Sequence, residues 1–126
     1  MSLLFGEVNY DITVKEIDIS EWDVSRVTNM HAMFVDCEEF NSDLSKWNVS
    51  KVNIMNGMFA GCDKFNSDIS NWDVSHVTDM NFMFKECYIF DVNLSKWNVS
   101  NVKDMYNMFE DCTTLEKNNK IPAWYK

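Results

Sequence analysis

Glycine and proline are scarce in this chain. The 126 residues include three glycines and one proline. Flexible linkers, low-complexity segments and collagen-like repeats are rich in these residues, so the composition argues against all three. Apolar residues make up 46% of the chain, which is enough for a buried core. A chain of this length predicts one domain.

Long apolar runs and basic runs are also missing. The apolar stretches are only a few residues long, so we expect no transmembrane segment. No three lysines or arginines are consecutive, which argues against a polybasic membrane patch. The formal net charge of −9 repels phosphate backbones, so we expect no nucleic-acid partner.

The first residues, MSLLFGEV, lack the basic region and the apolar region of a signal peptide. Either the protein stays inside the cell, or an exported form carries a leader that this sequence does not show. The sequence therefore leaves the cellular compartment unknown.

What the chain does contain is a repeat of 25 residues. It is marked by Cys37, Cys62, Cys87 and Cys112, and in the same register by Trp22, Trp47, Trp72 and Trp97. Columns of methionine and phenylalanine keep this period, which divides the chain into units 18–42, 43–67, 68–92 and 93–117. A fixed period of this size predicts a stacked repeat array.

The first half of each unit has the apolar spacing of a leucine-rich repeat. Trp47 and Val49 are two residues apart, which predicts one face of a short strand with Asn48 on the other. By the same alternation we expect the tryptophan column to be buried.

The second half of each unit predicts a helix. Its apolar residues recur at steps of three and four, as in Val27, Met30, Phe34 and Cys37. Ser25, Ser50, Ser75 and Ser100 precede this pattern, where an N-cap belongs. The expected fold is α/β: a leucine-rich-repeat-like β/α solenoid of four coils, each with one short parallel strand and one short helix.

The repeat resembles that of a known family. At most positions, residues 18–117 match W-[DN]-V-S-x-V-x-x-M-x-x-M-F-x-x-C-x-x-F-N-x-D-[LI]-S. This phrase is similar to the 25-residue repeat of BspA-like leucine-rich repeat surface proteins, which is common in mycoplasmas and is catalogued largely as a domain of unknown function. The resemblance implies a β/α solenoid, a cell-surface or secreted location, and a role in adhesion or host contact. It implies no catalytic residue, cofactor or defined ligand.

The ends depart from the repeat. We expect residues 1–17 to form a partial repeat that caps the array, and residues 118–126 to cap its other end through Ile121, Trp124 and Tyr125. The whole of 1–126 is then a single domain. Whether it is a complete protein or a piece of a longer array stays open.

Metal sites and catalysis are not indicated. One cysteine per unit is the wrong spacing for zinc, so we expect four free, buried thiols. The columns Asn41/Asn66/Asp91 and Asp43/Asp68/Asn93 lack the glycine-rich turns of calcium-binding repeats and are expected to form solvated or hydrogen-bonded turn ladders. No cluster of titratable residues indicates an enzyme, and no cofactor is expected.

Function is expected where the units differ, because the repeated residues are explained by folding. One candidate surface is the polar strand face, which comprises Glu21, Asp23, Lys46, Asn48, Asn71, Asp73, Lys96 and Asn98. The other is apolar and belongs to the third unit, with Phe82, Tyr88, Ile89 and Val92. The third-unit residues either form a contact site or pack against the C-terminal tail.

The resulting hypothesis is a non-enzymatic binding or adhesion module that contacts a protein or other surface partner, on a host or a cell, through the strand face or the variable repeat positions. The alternative is a purely structural spacer within a longer repeat array. The oligomeric state is not predicted.

A thiol count tests the prediction for the cysteines. Under denaturing, non-reducing conditions a thiol reagent should titrate all four cysteines of the chain. A lower count would show that some of them pair as disulfides.

Overall fold

The computed structural model describes residues 18–125, and its regular secondary structure is sparse. One helix, α1, spans Thr113–Lys117. Isolated parallel bridges join Asn29, Ile54, Asp79 and Asp104 in succession. These residues form no sheet, so the predicted α/β fold, a leucine-rich-repeat-like β/α solenoid with a strand and a helix in each coil, is wrong. The predicted cap at 1–17 lies outside the described residues.

The units are joined instead by backbone hydrogen bonds between residues 24 apart in the chain. At the first junction the N–H groups of alternate residues donate to the next unit: Met30 to Ile54 (2.8 Å), Ala32 to Asn56 (2.9 Å), Phe34 to Met58 (2.9 Å) and Asp36 to Ala60 (2.7 Å). The equivalent four bonds recur at the second and third junctions. We call each such set of four the backbone ladder.

The predicted helices are absent because two backbone positions in each unit are left-handed. In the first unit they are Ala32, with φ of 50°, and Asp36, with φ of 58°. An α-helix requires φ near −60°, so a residue of this kind interrupts it. The chain closes tight turns instead: the Met33 N–H donates to the Met30 carbonyl at 3.3 Å, and Cys37 to Phe34 at 3.0 Å. The apolar side chains at steps of three and four are therefore the inward corners of successive turns.

The predicted strands are also replaced by turns. The Trp47 N–H donates to the Leu44 carbonyl at 3.1 Å, and Val52 to Val49 at 3.0 Å. The predicted alternation of sides is nevertheless confirmed, since Trp47 and Val49 are 4% and 2% exposed while Asn48 is exposed. No bridge lies at these positions; the bridges lie further along, at Ile54 and its equivalents.

The four serines predicted as N-caps have a different role, because no helix follows them. The Ser50 N–H donates to Asn48 Oδ1 at 3.0 Å, and the Ser50 hydroxyl donates to the same oxygen at 2.6 Å. An aspartate or asparagine that accepts the N–H two residues on forms an Asx turn. Each of these serines is thus the donor of an Asx turn.

Aromatic columns fill the core between the turns. Phe34, Phe59, Phe84 and Phe109 stack along the array with ring centroids 5.7 Å apart at each step. A second column of Phe40, Phe65 and Phe90 lies beside them, and the Phe34 and Phe40 rings stack at 4.1 Å. Offset stacking of this kind adds about 0.5–1.5 kcal/mol per pair to the effect of burial. The repeat is thus held by its rings as well as by its backbone.

The tryptophans form a third column. Trp47, Trp72 and Trp97 are buried, as predicted, and each Nε1 donates to the carbonyl 28 residues earlier, that of Ile19, Leu44 and Ile69 respectively. Trp22, in the first described unit, is 37% exposed, so the prediction of burial is wrong for it.

The C-terminal segment continues these columns with different residues. Leu115 is fully buried at the position that follows Phe90 in its column. The Trp124 ring stacks on Trp97 at 6.4 Å, and its Nε1 donates to the Leu94 carbonyl at 3.0 Å. Trp124 therefore supplies the indole of a fifth unit, although it lies two residues beyond the 25-residue register.

The left-handed positions predict unequal effects of alanine at Gly57 and Gly61. Gly57 has φ of 65° and room for a Cβ, and Ala32 already occupies its column, so Gly57→Ala should cost about 1 kcal/mol. Gly61 has φ of 77°, and an added Cβ would overlap the Asp36 carboxylate, so Gly61→Ala should cost more than about 2 kcal/mol. Urea denaturation measures both values.

The overlap itself can be tested in the background of Asp36→Ala. Removing the carboxylate should recover part of the cost of Gly61→Ala and none of the cost of Gly57→Ala. Equal costs for the two glycines in both backgrounds would contradict the described geometry.

Candidate functional site

The polar surface predicted as a strand face lies on turns. All eight of its residues are exposed: Glu21, Asp23, Lys46, Asn48, Asn71, Asp73, Lys96 and Asn98. Four of them accept the N–H of the serine two residues on, at 3.0–3.1 Å: Asp23, Asn48, Asp73 and Asn98. Those four side chains have a structural role, which leaves the variable column of Glu21, Lys46, Asn71 and Lys96 for recognition.

A second set of Asx turns opens each unit. Asp18, Asp43, Asp68 and Asn93 accept the N–H groups of Ser20, Ser45, Ser70 and Ser95 at 2.9–3.1 Å. Hydrogen bonds from the Ser45 hydroxyl and N–H lower the pKa of Asp43, and Ser70 lowers that of Asp68 in the same way. The charge of Asp43 opposes this effect at Asp68 through repulsion. Three members of the column are thus carboxylates whose pKa values are lowered by local donors, and the fourth, Asn93, is an amide.

The third polar column runs from unit to unit. The Asn66 N–H donates to Asn41 Oδ1 at 2.7 Å, and the Asp91 N–H to Asn66 Oδ1 at 2.9 Å. Asp91 then pairs with Lys120 Nζ at 3.2 Å and accepts from Asn118 Nδ2 at 3.1 Å. The prediction of hydrogen-bonded turns is confirmed for these columns, and the last rung fastens the tail. Within residues 18–125, no group of three or more histidine, cysteine or acidic side chains is arranged to hold a metal ion.

The cysteines are free thiols in the core. Cys62, Cys87 and Cys112 are fully buried, as predicted, while Cys37 is half-buried. The three buried Sγ atoms donate to the carbonyls of Phe34, Phe59 and Phe84 at 3.0, 3.0 and 2.8 Å. Burial raises the pKa of Cys37 to about 11 and that of Cys112 to about 12. A thiol that stays protonated is a poor nucleophile and a poor metal ligand.

The apolar residues of the third unit separate into two groups. Tyr88 and Ile89 are 40% and 43% exposed with the tail in place, whereas Val92 packs against the core. Phe82 is half-buried, and its ring meets that of Tyr106 edge-on at 5.6 Å. The rings of the C-terminal tail pack on Trp97 and Phe109 instead. We call the exposed pair the Tyr88–Ile89 surface.

Acidic groups surround this pair. Partial desolvation, and then the negative charges of Glu86, Asp63 and Asp111, raise the pKa of Tyr88. At the column of Tyr88 the other units carry Glu38, Asp63 and Thr113. At the column of Ile89 they carry Glu39, Lys64 and Thr114. The third unit therefore places two large apolar side chains where its neighbours are polar.

Tyr106 is a surface residue that the sequence analysis missed. It is 66% exposed, and its N–H donates to Asn81 Oδ1 at 2.6 Å. Its column otherwise contains His31, Asn56 and Asn81, so a change of residue type was the available signal. Its contact with Phe82 makes a second, smaller aromatic pair.

The fold is that of a repeat protein whose 25-residue units stack as turns. The chain belongs to the family described as Mycoplasma protein of unknown function, DUF285, whose model matches residues 1–124. No curated protein matches the chain. No solved structure matches it either. In the part of the chain that the structure describes, no helix is long and apolar enough to cross a membrane.

The Asx turns predict a pH dependence of stability. The folded pKa values of Asp43 and Asp68 are lowered, so their turn bonds contribute fully above the unfolded pKa of about 4 and are lost as pH falls through the folded values. In the variant Asp43→Asn/Asp68→Asn the amide oxygens accept the same N–H groups at every pH. Its urea midpoint should therefore decline less than that of the wild type below about pH 4.

Asp63→Asn is the matched control, because it removes one carboxylate that accepts no turn hydrogen bond. Its acid profile should follow the wild type. Parallel acid profiles for the wild type and the double variant would contradict the assignment.

Proposed function

We propose that this protein is a non-enzymatic binding module that contacts a protein partner through the Tyr88–Ile89 surface. The repeat phrase resembles that of BspA-like surface proteins, and this supports a partner on a host or cell surface and a role in adhesion. The observation that carries the proposal is the 40% and 43% exposure of Tyr88 and Ile89 beside a core of buried aromatic rings.

Exposed apolar area of this kind favours a contact energetically. Covering a tyrosine and an isoleucine contributes about 25 cal/mol per Å² of apolar surface removed from water. Tyrosine is also enriched among residues that dominate protein interfaces. The first and second units form the same turn with polar residues at these columns, Glu38/Glu39 and Asp63/Lys64, which shows that folding the repeat does not require large apolar side chains there.

The charges around the pair indicate the chemistry of the partner. Asp63, Glu86 and Asp111 act on Tyr88 electrostatically, and the chain as a whole carries a formal charge of −9. A complementary surface brings lysine or arginine side chains around an apolar centre. Such pairing would speed association and make it sensitive to salt.

The variant Tyr88→Thr/Ile89→Thr tests the proposal, because it copies the residues of the fourth unit. A partner captured from cell-surface extract on the immobilised wild-type protein is purified, and its Kd is measured by calorimetry. The variant should bind it about tenfold more weakly or worse, since both anchors are lost. Raising the salt concentration should weaken the wild-type complex.

The control variant is Lys46→Glu/Lys96→Glu, which changes two exposed residues of the polar column. It should bind the same partner as the wild type does. Equal affinity of the threonine variant and the wild type would refute the assignment of this surface. A loss confined to the lysine variant would move the contact to the polar column.

A further inference from the structure

The backbone ladder has an open row of donors at the fourth unit. Met105, Asn107, Phe109 and Asp111 occupy the columns whose N–H groups donate to the following unit at each earlier junction. Among residues 18–125 these four N–H groups donate no hydrogen bond. A row of unpaired backbone donors at the edge of a structure is a template for pairing with another chain.

The C-terminal tail closes the aromatic columns without closing this row. Trp124 donates to the Leu94 carbonyl, and the Tyr125 ring meets Phe109 edge-on at 5.1 Å. None of the described tail residues places a carbonyl oxygen against the four donors. The fourth unit is therefore covered over its rings and open along its backbone.

The donor row has a shape that an ordinary extended strand does not match. Asn107 and Asp111 are left-handed, with φ of 49° and 61°, and the Met108 N–H turns back to the Met105 carbonyl at 3.3 Å. Strand carbonyls on one edge recur every two residues, about 6.6–6.8 Å apart, along a nearly straight line. A row interrupted by turns fits a partner folded in the same turns.

The molecule contains three examples of that fit. At each internal junction the four donor columns meet carbonyls of the next unit at 2.7–2.9 Å. The best-suited acceptor is the second unit, because glycine occupies both of its left-handed positions, Gly57 and Gly61. Its carbonyls at Ile54, Asn56, Met58 and Ala60 already accept four such bonds.

We propose that the C-terminal edge of the fourth unit binds one further unit of the same 25-residue repeat, supplied by another chain. The four N–H groups donate to the carbonyls of that unit, and its tryptophan competes with Trp124 for the Leu94 carbonyl. The tail thus acts as an internal competitor that weakens docking. The inference uses a surface other than Tyr88–Ile89 and does not depend on the proposed function.

The probe is a synthetic peptide of the second unit, residues 43–67, which carries the acceptor carbonyls, both glycines and Trp47. Amide exchange is followed by NMR on ¹⁵N-labelled full-length protein with and without the peptide. When the peptide is bound, the amides of Met105, Asn107, Phe109 and Asp111 should exchange more slowly by a factor of at least about ten. In the variant Trp124→Ala the peptide should bind about tenfold more tightly, because the competing indole is gone.

The matched control is the same peptide with valine at Gly57 and Gly61, since a β-branched residue resists positive φ. It should protect none of the four amides. Protection by both peptides alike, or by neither, would overturn the proposal. If Trp124→Ala does not fold, Trp124→Phe keeps a ring there, removes the Nε1 donor and should still raise the affinity.

The two proposals separate in one further measurement. The variant Tyr88→Thr/Ile89→Thr should bind the 43–67 peptide with the affinity of the wild type. A loss of peptide binding in that variant would place the peptide on the Tyr88–Ile89 surface and overturn the docking mode proposed for the edge.

Discussion

The structure depends on backbone hydrogen bonds that run along the array. At each junction the N–H groups of alternate residues must reach carbonyls 24 positions later, and this geometry holds only if the chain turns twice through left-handed φ in every unit. The stacked rings and the buried tryptophans follow from it, because the turns fix which side chains face inward. Since a unit without neighbours would leave these polar groups unpaired and its apolar corners exposed, we expect the array to fold as one body.

The sequence predicted the core better than the backbone. The 25-residue period and the inward side of Trp47 and Val49 could both be inferred from the spacing of apolar residues. The secondary structure could not, because a turn that points a corner inward every three or four residues has the same pattern as a helix. Gly57 and Gly61 were the available signal, since two of the three glycines in the chain occupy the left-handed columns of one unit. In other units Ala32, Asp36, Phe82 and Glu86 take positive φ despite its conformational cost. Residue type alone therefore did not reveal the left-handed positions.

The candidate site was predicted in part for the same reason. Comparison between units identified Tyr88 and Ile89, which are exposed in the structure. The comparison did not separate these two residues from Val92, which packs against the core. Whether a side chain in this part of the unit points inward or outward depends on the path of the backbone. It also placed Asp23 and Asn48 on a recognition surface, although their oxygens hold turns. A short polar side chain two residues before a serine accepts a hydrogen bond from the backbone N–H of that serine, so its oxygen is already occupied.

The Asx turns have a consequence for the surface charge of the protein. Aspartate and asparagine alternate within one column, as Asp23, Asn48, Asp73 and Asn98 do, and every member accepts the same serine N–H. An exchange of asparagine for aspartate at Asn48 would add one negative charge and preserve the acceptor oxygen that the turn requires. The net charge along this column can thus change while the turns that it holds stay the same.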